Sequence, residues 1–481
     1  MPAADLHEFI DLLKRNGELS EIDVQVNPLL EMTEIADRIV KKNGPALLFR
    51  NVKGYTIPVA MNLFGSESRV KMALNATEPA DIGMAITDML KVPMPKGIFD
   101  TLKLLPVLKE LLSYPPKIKT SAPWMEITEK DLSFLPALKC WPHDGGRFIT
   151  LPLVITKDPE TGIRNVGMYR LQVFDNNTLG LHWQAHKGAA YHYMKAEKMK
   201  KPLEVAIALG GDPATIFSAI APLPEDMDEF LFSGFIRKDN VELAKCFTID
   251  LEVPRYAEIV IEGVANPGER REEGPFGDHN GYYSPVEKFP YLHVTSIHRR
   301  KNAIYPATIV GKPVMEDAYM GKAVEEISLP VLKILNPEIK DINLPVESVF
   351  HNLAIVSINK RYPGHAKKIA MALWGTGQLL LTKIIIVVDS DVNIHDMKEV
   401  LWASTTRMDP ARDVTIIKDT PTDTLDHASP YLNMGSKMLI DATRKGPEEG
   451  FNRVWPETIE MSEEIRNLVS RRWREYGIDK N

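Results

Sequence analysis

Glu273 and Asp278 stand five residues apart in REEGPFGDHNGYYSP, the stretch from Arg271 to Pro285, on either side of a bend built from Gly274, Pro275 and Gly277. Two carboxyls held by a stiff, apolar bend suit acid–base chemistry: different surroundings let one hold a proton while the other stays charged. The bland reading is a solvated acidic turn, since aspartate and glutamate mostly lie exposed. Residue type alone leaves both open. A second pair, His182 and His186 in GLHWQAHKG, has the i,i+4 spacing that shares a helical face. The pattern there is a strand running into a helix, so spacing alone does not support a metal pair. A histidine beside an aromatic is more often a satisfied core residue. There is no CxxC, HExxH or Walker P-loop. GTGQLL at Gly375–Leu380 follows a helical pattern and precedes a strand, the wrong order for a dinucleotide turn.

The elements that must position these groups follow from periodicity. Leu6, Phe9, Ile10 and Leu13 mark one face of a first helix that Gly17 stops. Helix EIADRIVKK, strand GPALLFRNV, strand YTIPVAMNLFG and helix SESRVKMALN complete a small α/β unit. Prolines then crowd a surface connector with one short helix near LLPVLKELL. Strands LPLVITKD and RNVGMYRLQVFD flank the turn DPETG, and LGLHWQAH, CFTIDLEVP, EIVIEGVAN and YLHVTSIHRR continue a sheet interrupted by helices from GAAYHYMKAEKMK to EDMDEFLFSGFI. Antiparallel strands of this kind predict a barrel-like sheet. After Glu316 the α/β rhythm returns, and KIIIVVDSD is the apolar run of a parallel strand buried on both faces. Ser462 caps a last helix whose stripe is Ile465, Leu468 and Val469. That stripe can dock on a neighbouring subunit or pack on its own chain.

The reading is therefore a multidomain α/β (α+β) chain: a small N-terminal α/β domain with a proline-rich connector (1–115), a central antiparallel split barrel with a helical insertion (116–315), and a C-terminal α/β domain with its terminal helix (316–481). A net charge of −7 argues against a general nucleic-acid binder. No run of apolar residues is long enough to span a membrane. The first residues lack the basic start and unbroken apolar stretch of a signal peptide. With two cysteines, Cys140 and Cys246, the chain suits a reducing cytoplasm.

Three stretches carry a resemblance: NVGMYR (Asn165–Arg170), HKGAAYHY from His186, and EEGPFGDHNGYY. The sequence resembles the UbiD-type decarboxylases, which use prenylated FMN to remove the carboxylate of aromatic and unsaturated acids. The likeness runs nearly end to end, through EIADRI, GPALLF, IDLEVP, EIVIEG, YPGHAKK, STTRMDPARD and GSKMLIDAT. It implies that Glu273, Arg170 and Asp278 form the catalytic trio, with Asp278, glutamate in some relatives, as proton donor. It also implies Mn2+ bridged to the cofactor phosphate and held by Asn165, His186 and Glu229, a K+ ion near Ser218 and Ala219 with Glu229 shared, and Lys383 on the phosphate. Ser218 and Ala219 read equally as plain helix residues, and Lys383 as a solvated strand end.

The chemistry agrees with these residue types. An aromatic carboxylate loses CO2 only with a sink for the electrons left on the ring, which a cofactor provides while the protein orients and protonates. Arg170 would keep Glu273 ionised, and closure over an apolar ring would keep Asp278 neutral. His279 reads as a structural hydrogen-bond partner. In a regular strand Asn165 and Arg170 would face opposite sides unless Gly167 marks a bulge. The substrate implied is 4-hydroxy-3-polyprenylbenzoate of ubiquinone synthesis. Vanillate, 4-hydroxybenzoate and naphthoate precursors of menaquinone are alternatives. A UbiX-type flavin prenyltransferase would supply the cofactor, and the assembly would be a homodimer or homohexamer. A flavin oxidoreductase and a non-catalytic cofactor store are the competing readings. No nicotinamide motif supports the first, and an intact acid–arginine–acid trio argues against the second.

Overall fold

Leu6, Phe9, Ile10 and Leu13 are the buried residues of the first helix, Leu6–Arg15, and Gly17 ends it at φ 74°. The computed structural model to which these elements belong describes residues 2–90, 113–184, 187–223 and 227–478. The short helix expected near LLPVLKELL lies outside them. Helices Glu31–Val40 and Glu67–Leu74 cover a four-stranded sheet of Leu19–Ile22, Ala46–Phe49, Val59–Met61 and Tyr305–Ala307. The fourth strand comes from far along the chain and lies parallel to Val59–Met61. Local pattern cannot reveal such a pairing.

The centre is a ten-stranded sheet, antiparallel throughout, that curls into a half-barrel. Its organiser is Glu287–Arg299, thirteen residues long, which pairs with Thr178–Leu181, Ile259–Ala265, Arg270–Glu273 and Ile127–Thr128. Both faces of its middle strands are buried. In Leu203–Leu209, for example, Val205, Ile207 and Leu209 join one core and Ala206 and Ala208 another. Two sequence expectations change here. RNVGMYRLQVFD is two strands, Arg164–Gly167 and Leu171–Val173, because the Met168 N–H leaves the sheet for the Ala219 carbonyl at 3.3 Å. CFTIDLEVP is not one strand either: Glu242–Lys245 and Glu252–Pro254 pair with each other as a small hairpin.

The C-terminal sheet has three parallel strands at its centre, Leu353–Ile358, Ile384–Asp389 and Met434–Ala442, with antiparallel edges Ile339–Asn343 and Val414–Pro421. Helix His365–Trp374 covers one face and Met397–Arg407 the other. The alternating burial of Ala354, Ile355 and Val356 between those two cores explains the continuous apolar strands. Helix Glu316–Leu335 joins this unit to the rest, packing on Pro79–Leu90. The final helix, Glu463–Arg472, is capped by the Ser462 hydroxyl accepting from Ile465 N, and none of its residues is buried.

Candidate active site

Arg170 lies in the irregular link between the strands Arg164–Gly167 and Leu171–Val173. Strict alternation therefore does not apply between Asn165 and Arg170. Its guanidinium donates through Nε and Nη2 to the two oxygens of Glu273, each at 3.0 Å, a fork-to-fork pair. Nη1 donates to Asp278 Oδ2, and Nη2 also reaches the Ser284 hydroxyl at 2.9 Å. The Phe276 ring lies 4.7 Å from the guanidinium carbon. Glu273 ends a strand and is fully buried, and His182 Nδ1 meets its Oε2 at 3.0 Å. His182 is thus a satisfied core residue, its ring 4.3 Å from that of Phe289.

The bend between the acids is held from several directions. Gly274 has φ 93°, a conformation that suits glycine, and its N–H donates to Gln172 Oε1 at 2.8 Å. Gly277 donates to Asp144 Oδ1 at 2.8 Å, and a Cβ there would come within 2.2 Å of the Trp141 ring. Asp278 N–H donates to the Tyr282 carbonyl, and Ser284 N–H to that of Phe276. The turn is a pinned hairpin end, which answers why two acids can be held so closely.

The partners of both acids favour their charged forms. Burial alone would raise the Glu273 carboxyl, but the His182 bond and Arg170 outweigh it and bring it down to about 2. Burial opposes the charge on Asp278 too, and is outweighed by the His279 bond and Arg170, which hold it well below the usual carboxylate range. These partners favour the charged form of Asp278, where the sequence reading places a proton on it under closure over an apolar ring. One arginine serves both acids, and the residue after Asp278 points back at it: Oδ1 accepts from His279 backbone N and ring Nδ1, both at 2.8 Å. Sequence gave no sign of His351, whose Nε2 meets His279 Nε2 at 2.9 Å, nor of Asp423 close by. Both belong to the C-terminal unit, and no local signal could have found them. The Asp423 side supplies a further contact, Asn280 Nδ2 donating to the Leu425 carbonyl at 2.7 Å.

The remaining predicted residues fall at two places. Arg164–Gly167 is the edge strand of the central sheet, so the Val166 N–H is free to donate to Glu229 Oε2 at 2.8 Å. Asn165 Nδ2 donates to the Tyr169 hydroxyl at 3.3 Å. Ser218 ends a short helix with its hydroxyl on the Thr215 carbonyl, and the Ala219 carbonyl takes Met168 N–H. Asn165, Glu229 and Ala219 thus converge on one short stretch of backbone. His186 lies outside the described residues. Lys383 sits elsewhere, at the start of a C-terminal strand, with Nζ on Asp426 Oδ1 at 2.9 Å. A cavity of about 360 Å³ opens between Trp183, Tyr193, Met194, Arg270 and Phe289, and Trp183 Nε1 is buried with no hydrogen-bond partner among the described residues.

Residues 10–89, 116–313 and 318–442 match, in order, the N-terminal, Rift-related and C-terminal domains described for 3-octaprenyl-4-hydroxybenzoate carboxy-lyase, UbiD. The chain belongs to the UbiD family. An uncharacterised protein of Archaeoglobus fulgidus is 54% identical over 476 residues, 99% of each chain. Among solved structures, the closed form of vanillic acid decarboxylase from Sedimentibacter hydroxybenzoicus is 29% identical, covers 99% of both chains and has a TM-score of 0.86. The UbiD-class enzyme HmfF of Pelotomaculum thermopropionicum, solved in complex with FMN, is 30% identical over 94% of this chain and 97% of its own, with a TM-score of 0.78. An evolved dimeric form of it was solved with prenylated FMN. This UbiD-family chain is a decarboxylase, a carboxy-lyase.

The donor set of this UbiD chain fits a hard divalent ion. Burial pushes the Glu229 carboxyl up to about 8, so its charged form calls for a cation beside it. Asn165 turns its amide nitrogen to Tyr169, leaving Oδ1 for another ligand. Gly188 faces that oxygen without a side chain: a Cβ there would lie 2.1 Å from it. Amide and carboxylate oxygens suit Mn2+ or Mg2+.

Proposed function

We propose that this chain decarboxylates a hydroxyarene acid without net oxidation, using prenylated FMN and a divalent ion, with Mn2+ as the ion and K+ beside it. The observation that carries the reading is Arg170 spanning two buried carboxylates, Glu273 and Asp278, on a sheet whose edge strand carries Asn165 and donates its Val166 N–H to Glu229. When bound, prenylated FMN supplies the electron sink that an arene lacks when CO2 departs. Asn165, Glu229 and His186 would hold the divalent ion, and the Ala219 carbonyl and Ser218 would serve K+. Lys383, now paired with Asp426, would supply the cation for a phosphate oxygen.

The residues of the chain then divide the work. Glu273 stays ionised and locks the plane of the guanidinium through two bonds. Arg170 in turn fixes Asp278 Oδ2, so that the acid meets the ring carbon in one orientation. Asp278 passes a proton to that carbon after CO2 has left.

For the substrate, the family models are described by a polyprenyl hydroxybenzoate, which favours 4-hydroxy-3-polyprenylbenzoate and a place in ubiquinone synthesis. The end-to-end likeness to a vanillic acid decarboxylase favours a small phenolic acid instead. A UbiX-type prenyltransferase supplies the cofactor in the cytoplasm, and among the described residues no helix is long and apolar enough to cross a membrane. The central unit, 116–315, carries the flavin, flanked by 1–115 and 316–481. The exposed Ile465 and Leu468 of the last helix support a homodimer or a homohexamer built from dimers.

The test is the purified chain loaded with prenylated FMN and Mn2+, offered both substrate types and scored for CO2 without added reductant. Release of CO2 from one of them is expected. No CO2 from any arene acid, with oxidation of a nicotinamide donor instead, would make the protein an oxidoreductase.

A further inference from the structure

Asp278 lies between the Arg170 guanidinium and the His279 ring, a pairing that favours its carboxylate; a carboxylate must receive a proton before it can protonate carbon, and these surroundings restrict where that proton comes from. Oδ2 faces Arg170, which does not release protons near neutrality. Oδ1 faces the backbone N–H and the ring Nδ1 of His279, each at 2.8 Å. Among the described residues that hydrogen-bond Asp278, the His279 ring is the one that can give a proton up. We propose that His279 is the proton store of this site: its Nδ1 proton loads Asp278, and His351 is the neutral acceptor that keeps His279 doubly protonated between turnovers. This rests on the reading of Asp278 as the donor to carbon.

The geometry assigns each partner its part. His279 Nε2 lies 2.9 Å from His351 Nε2, and one of these nitrogens must donate. Burial and the neighbouring His279 charge both lower the basicity of His351, so His351 is the neutral ring and accepts. His279 then donates from both nitrogens, to a carboxylate on one side and an imidazole on the other. Burial would lower its pKa, but the bond to Asp278 and the charges of Asp278, Asp317 and Asp423 raise it to about 8. A ring nitrogen of His279, one of His351 and a carboxylate oxygen of Asp423 lie within 4.8 Å of one another, so each charge is felt by the others. Asp317, in the first turn of helix Glu316–Leu335, is pushed up to about 7 chiefly by burial. Lys187 faces Asp423 and His351 from the central unit, and the Phe350 ring lies 5.6 Å from that of His279.

The proton balance is simple. The His279 Nδ1–H bond breaks as Asp278 Oδ1–H forms; that bond breaks as C–H forms on the ring carbon, whose electron pair was left by CO2. A solvent proton then restores the imidazolium. His279 acts through Asp278, so it is a positioning residue.

The test compares wild type, His279→Ala, His351→Leu, Asp317→Asn and Asp278→Asn as holoenzymes of matched cofactor and metal content. Wild-type turnover falls as pH rises through about 8, because the imidazolium is lost. His279→Ala loses that limb, releases a burst of about one CO2 per site, and then forms product at least 10-fold more slowly, since C–C cleavage precedes proton delivery. Added imidazole restores the steady rate. His351→Leu and Asp317→Asn keep the limb but move it to lower pH. A His279→Ala enzyme with the parent limb, or one whose burst and steady rate fall together without imidazole rescue, overturns the proposal. An unmoved limb in His351→Leu overturns the part given to His351. Full activity in Asp278→Asn would instead overturn the underlying reading of the donor, so the two failures are distinguishable.

Discussion

Arg170→Lys keeps the charge and removes the fork, which isolates geometry from electrostatics. The guanidinium makes two bonds to Glu273 at 3.0 Å, one to Asp278 and one to Ser284 at 2.9 Å, with 8% of its side chain exposed. A lysine ammonium has three donors on a flexible stem and cannot match both oxygens of Glu273 in one plane. Losing two charge-assisted bonds at about 1.5–3 kcal/mol each gives about 3–6 kcal/mol, and the retained charge recovers part of that. Asp278 then loses its fixed orientation. Taking about 3–4 kcal/mol as the loss felt in the transition state, kcat/KM should fall roughly 100- to 1,000-fold. The assay is CO2 release under saturating prenylated FMN and Mn2+, with flavin content measured in each preparation and thermal denaturation run alongside. A folded, fully loaded Arg170→Lys enzyme within threefold of the parent would refute the argument that the planar clamp positions the acid.

Acid stability offers a second test. The Glu273 carboxyl is lowered from 4.5 to about 2 in the folded chain, so its contribution is complete above the unfolded value and is lost as pH falls from about 5 towards 2. Glu273→Gln should be less stable than the parent at pH 7, with the gap narrowing through that window in denaturant titrations; a pH-independent gap would contradict it. Glu229→Gln should weaken Mn2+ binding about 10- to 100-fold, measured by equilibrium dialysis, while leaving the Val166 contact an acceptor and the fold intact. Leu468→Glu with Ile465→Glu should lower the mass seen by light scattering, because both side chains stand about 40% exposed on a helix with no buried residue; an unchanged mass would place the assembly contact elsewhere.

Much of the local architecture was legible in the chain. The stripe Leu6, Phe9, Ile10 and Leu13 is the buried face of the first helix, and the apolar run at Ile384–Asp389 is a parallel strand between two helix-covered faces. Periodicity reports these because each element buries a face defined by its own repeat. The pairing of Arg170 with Glu273 was also expected, from the resemblance to the UbiD-type decarboxylases. Tertiary structure alone decided the partners of Asp278. Its charge depends on a guanidinium 108 residues earlier and on a histidine whose ring must turn back toward its neighbour. His351 and Asp423 reach the same spot from another sheet, and Tyr305–Ala307 crosses to the N-terminal sheet. Periodic burial is a property of a few consecutive residues and can be read from them. A pKa and a long-range strand partner are set by whatever distant groups the folded chain brings within a few ångströms, and no local pattern encodes those distances.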